Sequence, residues 1–487
     1  MGSSDGFTLK VRRVGAAVCV LGALSVAVPA PVGHAESVDG YRLYASDGLA
    51  TRFGRSNALE GDLAFVGDDW QGPGGAVYVY RYASGRWMEI QKLEGDPGDG
   101  LANSLDVDGP LLVAGSPTGG AAYVFRFDGD RYVREAKLEP GRGLIGTSVG
   151  VSGETVVVSA LQRYPRGATF VYEYDNGRWR QTDELTVPDA SDIFGHCAIQ
   201  GDTIVIGDTR YDFVSVFERL PGGWTETARV TPEGDTAATR INFGLPVRID
   251  GAMLVAGAVW DNEAGPRAGA AFAFEKRGPE WVQTGKFMPA TADQQFGGSL
   301  AVENGRLVAG AVHRDAVFVY EYDGTEWAAT LEIDQPSTGV QCEECRFGMF
   351  VGVSGQRLIA GEPGGNQSWV FEIGGAIEIS LDVLPWSTRN LIDPGSTRLV
   401  PVAMHGGQHF DALQTDLPSV RIMPGNAPAR NYRVMDVNRD GLPDLVVYFR
   451  SRDLPIPCGT SQLDLTASTH QGLELLGADT VTNMRCR

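Results

Sequence analysis

The chain has 487 residues, a formal net charge of −20, 64 glycines, 26 prolines and six cysteines. That length allows two to four ordinary domains, or one large repeat assembly with a smaller companion. A surface this acidic repels nucleic acid and anionic lipid at long range, which excludes a nucleic-acid partner.

Residues 1–35 read as an export signal. Lys10, Arg12 and Arg13 precede an apolar run from Val14 to Val28, and Gly33-His34-Ala35 offers small residues at the cleavage positions. Val18 before Cys19 is not the small residue of a lipoprotein anchor, and the residues around Arg12-Arg13 match a twin-arginine signal poorly. The mature chain is expected to begin near Glu36, two charges more negative than the precursor. No later stretch approaches 18 apolar residues, so no integral membrane segment is expected after signal removal. A secreted or periplasmic monomer follows as the expectation.

From Phe53 onward one phrase returns at Leu101, Ile145, Phe194, Phe243, Phe296 and Phe347. Each copy runs as an apolar alternation, a Gly-centred turn and a second apolar run, as in Leu105–Gly115 and Leu300–Gly310. Alternation across a tight Gly turn is the signature of a hairpin. A third run follows, such as Val77-Tyr78-Val79-Tyr80 or Trp369-Val370-Phe371. Six copies add a fourth element opened by Trp87, Tyr132, Trp179, Trp224, Trp281 or Trp327. Four strands repeated seven times without helical periodicity predict an all-β, seven-bladed β-propeller. The seventh copy stops at Gly375 without its fourth strand. Tyr41–Gly48 resembles the missing element, so the N-terminal strand is expected to close the last blade and hide two sheet edges.

Phe243-Gly244 with Val255-Ala256-Gly257-Ala258, and Val113-Ala114-Gly115-Ser116-Pro117, resemble the FG-GAP repeats of integrin α-chain propellers and their secreted bacterial relatives. The resemblance covers residues 36–375. It implies a propeller whose blades often carry a calcium loop of the form D-x-D-x-D-G-x-x-D. None of the seven copies here carries one, which argues against metal in the propeller itself.

Residues 376–487 lose the repeat and show shorter alternating runs with Pro and Gly between them, the pattern of a small β-sandwich. Within it, Asp436-Val437-Asn438-Arg439-Asp440-Gly441-Leu442-Pro443-Asp444 places oxygen donors at Asp436, Asn438, Asp440 and Asp444, with a backbone carbonyl near Leu442. Gly441 permits the sharp turn that lets them converge on one calcium ion. Val447 stands where an EF-hand needs Glu, so the loop resembles the strand-flanked kind missing from the blades, and its ion is expected to be structural. Cys458 and Cys486 are spaced to close the end of this module, Cys342 and Cys345 to staple a loop, and Cys197 to lie buried and unpaired.

Several motifs imitate an active site. Gly146-Thr147-Ser148-Val149-Gly150 fits the hydrolase nucleophile pattern, but no helix follows Ser148. His405 and His409 lack a third metal ligand, and His196 and His313 fall at unlike repeat positions. Asp68, Asp69, Asp261 and Glu263 occupy loops where paired acids serve lyases or glycosidases. No catalytic set assembles. The expected function is therefore a non-catalytic binding or structural protein presenting loops to an extracellular protein or glycan. The alternative is an extracellular polysaccharide lyase or glycoside hydrolase, which would crowd these acids and histidines at the channel mouth.

Overall fold

The computed structural model describes residues 6–13, 27–28 and 35–483, apart from residues 71, 142, 164, 234–239, 293, 338–341, 343, 374–376, 388, 407–411, 424, 440, 455, 457–459 and 469–473. The chain divides into two compact units, Met1–Glu372 and Ile373–Arg487. Most of the expected leader, including residues 14–26, lies outside the described residues. Residues Gly6–Arg13 form a strand beside Ala35–Leu43.

The first unit is a β-propeller. Its strands pair in antiparallel groups of four, such as Ser56–Glu60, Leu63–Asp68, Ala76–Ala83 and Arg86–Glu94. The last group holds only Val351–Ser354, Arg357–Glu362 and Gln367–Glu372 from its own copy. Its fourth place is taken by Ala35–Leu43, with Gly40, Tyr41, Arg42 and Leu43 opposite Phe371, Val370, Trp369 and Ser368. The first strand of each group packs against the first strand of the next, and Val351–Ser354 packs against Ser56–Glu60 to complete the circuit.

The hydrophobic core sits in the wedges between neighbouring sheets. Phe65, Val77 and Val79 of the first group meet Leu112, Tyr123 and Tyr132 of the second. The last wedge joins Leu43, Ile359 and Val370 to Phe53, Tyr78 and Trp87. In all six copies with their own fourth strand, the pairing slips once at the same place, from Val79/Tyr80 to Val319/Tyr320. A bulge of this kind re-aims the following side chains.

The recurring glycines have a single physical cause. A Cβ on Gly310 would lie 2.0 Å from the carbonyl oxygen of Gly348, and one on Gly361 would lie 2.2 Å from that of Gly54. The second-strand glycine of one group thus touches the Phe-Gly backbone of the next. Gly115, Gly207 and Gly257 repeat the contact against Gly146, Gly244 and Gly297. This approach is too close for any side chain.

Cys342 and Cys345 form a disulfide, and Cys197 is free and buried. Replacing both bridged cysteines with serine is expected to lower stability by about 2 kcal/mol from the four-residue loop alone. Urea unfolding of the oxidised parent and the double variant measures it. Cys458 and Cys486 lie outside the described residues.

In the second unit one sheet runs Ile377–Glu378, Glu474–Asn483, Thr460–Ser468, Arg421–Met423 and Ala427–Pro428, with Leu391–Ile392 added on Glu474–Asn483. The other sheet runs Leu381–Val383, Leu399–Met404, Asp444–Arg450 and Asn431–Met435. Residues from both sheets, among them Val402, Phe449, Leu465 and Leu475, share one apolar cluster.

Candidate functional site

The first strands of these sheets line a shared central space, and their sequence sets its chemistry. At the hairpin-turn end, the residue ending each strand is Glu60, Asp108, Ser152, Gln200, Asp250, Glu303 or Ser354. Each side chain accepts a backbone N–H from the turn of the next group. Gly153 donates to Asp108 Oδ2 at 2.5 Å, Gly201 to Ser152 Oγ at 2.9 Å, Asn304 to Asp250 Oδ2 at 2.5 Å and Gly355 to Glu303 Oε2 at 2.6 Å. Gly251 donates to Gln200 Oε1, Gly109 to Glu60, and Gly61 closes the circle on Ser354 Oγ at 3.1 Å. The links stitch sheet to sheet around the whole ring.

Desolvation makes this mouth reluctant to hold charge. Burial raises Glu60, and pushes Glu303 up to about 7 and Asp106 up to about 6, although each accepts a backbone N–H. Deeper in the channel, burial pushes His196 down to about 4 and lowers Arg248. These side chains line the channel and are partly exposed to it.

The sign of the pH dependence follows. A carboxyl whose folded value lies above its unfolded one takes up its proton first in the native state, so Glu303 adds stability as pH falls from 8 towards 6.5. His196 works oppositely, removing stability between pH 6.5 and 4 because its folded value is depressed. Glu303→Gln is expected to flatten the upper window and to be more stable than the parent at pH 8 by about 1–2 kcal/mol, discounted for water in the channel. Thermal melts at pH 8 and 6.5 check this.

On the opposite side of Arg248 the channel widens into a cavity of about 370 Å³. Its polar wall includes Arg55, Asn103, Thr147, His196 and Gln295, and its apolar wall includes Leu245, Pro246 and Phe350. This end carries the Phe-Gly segments and the loops after the second strands. Three of those loops expose an aromatic ring: Trp70 at 69%, Tyr211 at 59% and Trp260 at 46%.

The loop acids are spent on structure. Asp68 is fully buried and accepts the backbone N–H groups of Thr51, Arg52 and Trp70. Asp69 faces Arg52 and Arg55 at 3.3 and 3.6 Å. Asp261 and Glu263 both hold Lys286, at 2.8 and 2.6 Å. Ser148 donates to the Cys197 carbonyl at 3.0 Å and accepts the Cys197 N–H at 3.2 Å, another sheet-to-sheet link. Among the described residues these acids do not gather around His196. The disulfide Cys342–Cys345 lies beside buried Glu362, whose oxygens accept from Gln335, Gln367 and Trp369.

Of the expected calcium donors, Asp436 accepts the Gly441 N–H at 3.1 Å, and Gly441 has φ +90°. Asp444 is fully buried; its oxygens accept from Gly406 at 2.9 Å and Val437 at 2.7 Å, with His405 Nδ1 at 3.3 Å. Asp440 and His409 lie outside the described residues.

Sequence reasoning missed Arg248, Asp106 and the ring of turn acceptors that includes Glu303. The signal was present, because a polar residue precedes the turn glycine in six copies and Asn304 intervenes in the other.

No curated protein matches the chain. Among solved structures, a putative 6-phosphogluconolactonase from Bacteroides fragilis NCTC 9343 is 13% identical with a TM-score of 0.45, covering 69% of this chain and 96% of that one. A putative 6-phosphogluconolactonase from Bacteroides uniformis ATCC 8492 is 14% identical with a TM-score of 0.46, covering 62% and 93%. A protein from Lactobacillus plantarum is 13% identical with a TM-score of 0.45, covering 68% and 96%. The FG-GAP repeat family model matches residues 224–274, a stretch that holds Phe243-Gly244 and Gly257, two of the positions where adjoining sheets touch backbone to backbone.

Proposed function

We propose that this chain is an exported, non-catalytic binding or structural protein: a seven-bladed ring, closed by its N-terminal strand, that presents one loop face to an extracellular protein or glycan. The observation that carries the reading is the trio Trp70, Tyr211 and Trp260, exposed on loops at the same repeat position and therefore at the same end of the ring. Exposed aromatic rings on a rigid scaffold supply contact area at low entropic cost, and they stack well on sugar rings. Supporting it, the acids that would serve hydrolysis already hold Lys286, Arg52 and backbone amides. The circuit of first-strand contacts and the seven turn links support the blade count.

The C-terminal unit is read as a β-sandwich held by calcium at Asp436, Asn438, Asp440, the Leu442 carbonyl and Asp444. The donors are all oxygen, the set a hard cation requires, and the Gly441 turn folds Asp436 back onto its own loop. Calcium is expected to raise the melting temperature of the purified mature chain and chelation to reverse it, with Asp436→Asn abolishing the response. Equal melting with and without calcium contradicts the metal.

The partner reading is tested on an array of glycans and extracellular proteins probed with the mature chain and a Trp70→Ala, Trp260→Ala variant. Binding is expected to fall about tenfold or more in the variant, as for aromatic anchors elsewhere. Undiminished binding would show that the loop face is not the docking surface.

A further inference from the structure

We propose that the axial cavity on the Phe-Gly side of Arg248 binds a small hydroxylated carboxylate, of the size and chemistry of a sugar acid. This inference concerns the inside of the ring and does not rest on the loop-face reading above.

Arg248 stands in the channel where the two mouths meet, lining the space on both sides. Among the described residues no carboxylate lies within ion-pairing distance of it, and its guanidinium gives one hydrogen bond, to its own Val247 carbonyl at 2.8 Å. A guanidinium carries five donors in a planar fork, so most of its recognition capacity is unspent. Arg55, from the first group rather than the fifth, lines the same cavity. Its Nε makes no hydrogen bond but is ion-paired with Asp69 at 3.6 Å, and its guanidinium lies over the Phe350 ring at 4.7 Å, so it adds positive charge to the wall rather than a free fork.

A guanidinium facing this space without an ion-pairing carboxylate, as Arg248 does, is costly unless an anion enters. A carboxylate answers this best, because its two oxygens match the guanidinium fork and form charge-assisted bonds. Around these cations Gln295 brings an amide, Asn103 and Thr147 give donors to Asp69 and the Leu144 carbonyl but keep oxygens that can accept from a ligand's hydroxyls, and Leu245 and Phe350 supply an apolar wall. A volume of about 370 Å³ admits one small ligand and excludes a polymer. The negative surface and Asp106 beyond Arg248 act against the anion, so modest, salt-weakened affinity is expected.

The test is titration calorimetry of the mature chain with D-glucuronate, with D-glucose as the uncharged control. Glucuronate is expected to bind one to one and at least about tenfold tighter than glucose, the scale of a lost charge-assisted pair. Arg248→Gln is expected to remove that preference, and Asp106→Asn to strengthen glucuronate binding. Thr147→Trp, which fills the cavity from a partly exposed wall, is expected to abolish binding without touching either arginine, and so decides the matter should the Arg248 variant not fold. Equal affinity for the two sugars, no glucuronate binding at about 10 mM, or unchanged binding in folded Arg248→Gln or in Thr147→Trp overturns the proposal.

Discussion

A chain shortened to begin at Asp47 is expected to lose the cooperative unfolding transition of the propeller at temperatures where the chain beginning at Glu36 remains folded. The removed residues belong to two neighbouring sheets at once. Gly40–Leu43 forms the backbone ladder with Phe371–Ser368, and Leu43 is 1% exposed within the wedge that holds Phe53, Tyr78 and Val370. Tyr80 of the first group donates to the Tyr44 carbonyl at 2.7 Å, and the hydroxyls of Tyr41 and Tyr82 meet at 3.3 Å. Deletion uncovers Val370 and Trp369 along a bare sheet edge. The loss of apolar burial and backbone pairing together amounts to about 5 kcal/mol or more, comparable with the whole stability of many domains. The milder Leu43→Ala is expected to cost about 3 kcal/mol, as buried leucines do. Circular dichroism melts and size-exclusion chromatography measure both, and an unchanged melt in the truncated chain contradicts this role.

The second large effect is expected at Gly310. Adding a methyl group there places carbon 2.0 Å from the Gly348 carbonyl oxygen, a backbone atom that cannot move without shifting the following sheet. Gly310→Ala is therefore expected to cost about 3 kcal/mol or more, the upper range for overpacking. Gly153→Ala is the matched control. Its φ is +52° and nothing lies within 4 Å of the added carbon, so only backbone strain remains, worth about 1 kcal/mol. Denaturant unfolding of the two variants separates close approach from conformational freedom; equal losses would contradict the packing account.

Both effects bear on what the sequence made legible. The repeat was readable because the copies write the same alternations in the same order; the strand Leu105–Asp108 falls within its marked stretch, whereas Phe296–Glu303 begins earlier, at the Phe-Gly pair itself. The glycines were readable as turns and as a family signature, but their contact across sheets was not, since each pair joins residues from different copies. The same reason hid the ring of turn links: Glu303 reads as an exposed acid until Gly355 of the next copy is placed against it. Arg248 was hidden by its neighbours, being one cation in an ordinary alternating strand. In the second unit, Glu474–Asn483 escaped notice because Gly477, Ala478 and Asp479 interrupt its apolar run, although Gly477 lies against Ile379 and Leu381, where a larger residue would clash. The staple at Cys342 and Cys345 was expected from the pair's place between strands, while their pairing was left open until the structure joined them; the burial of Cys197 was legible from its place on a strand.

Closure of the ring by Ala35–Leu43 shapes the whole channel. Amide hydrogen exchange of the chain beginning at Glu36 tests it most directly. Peptides covering residues 40–43 and 368–371 are expected to exchange together and as slowly as the inner strand Met253–Ala258, because they share one ladder in the ring. Rapid exchange of residues 40–43 while 253–258 stay protected would show that the ring closes in some other way.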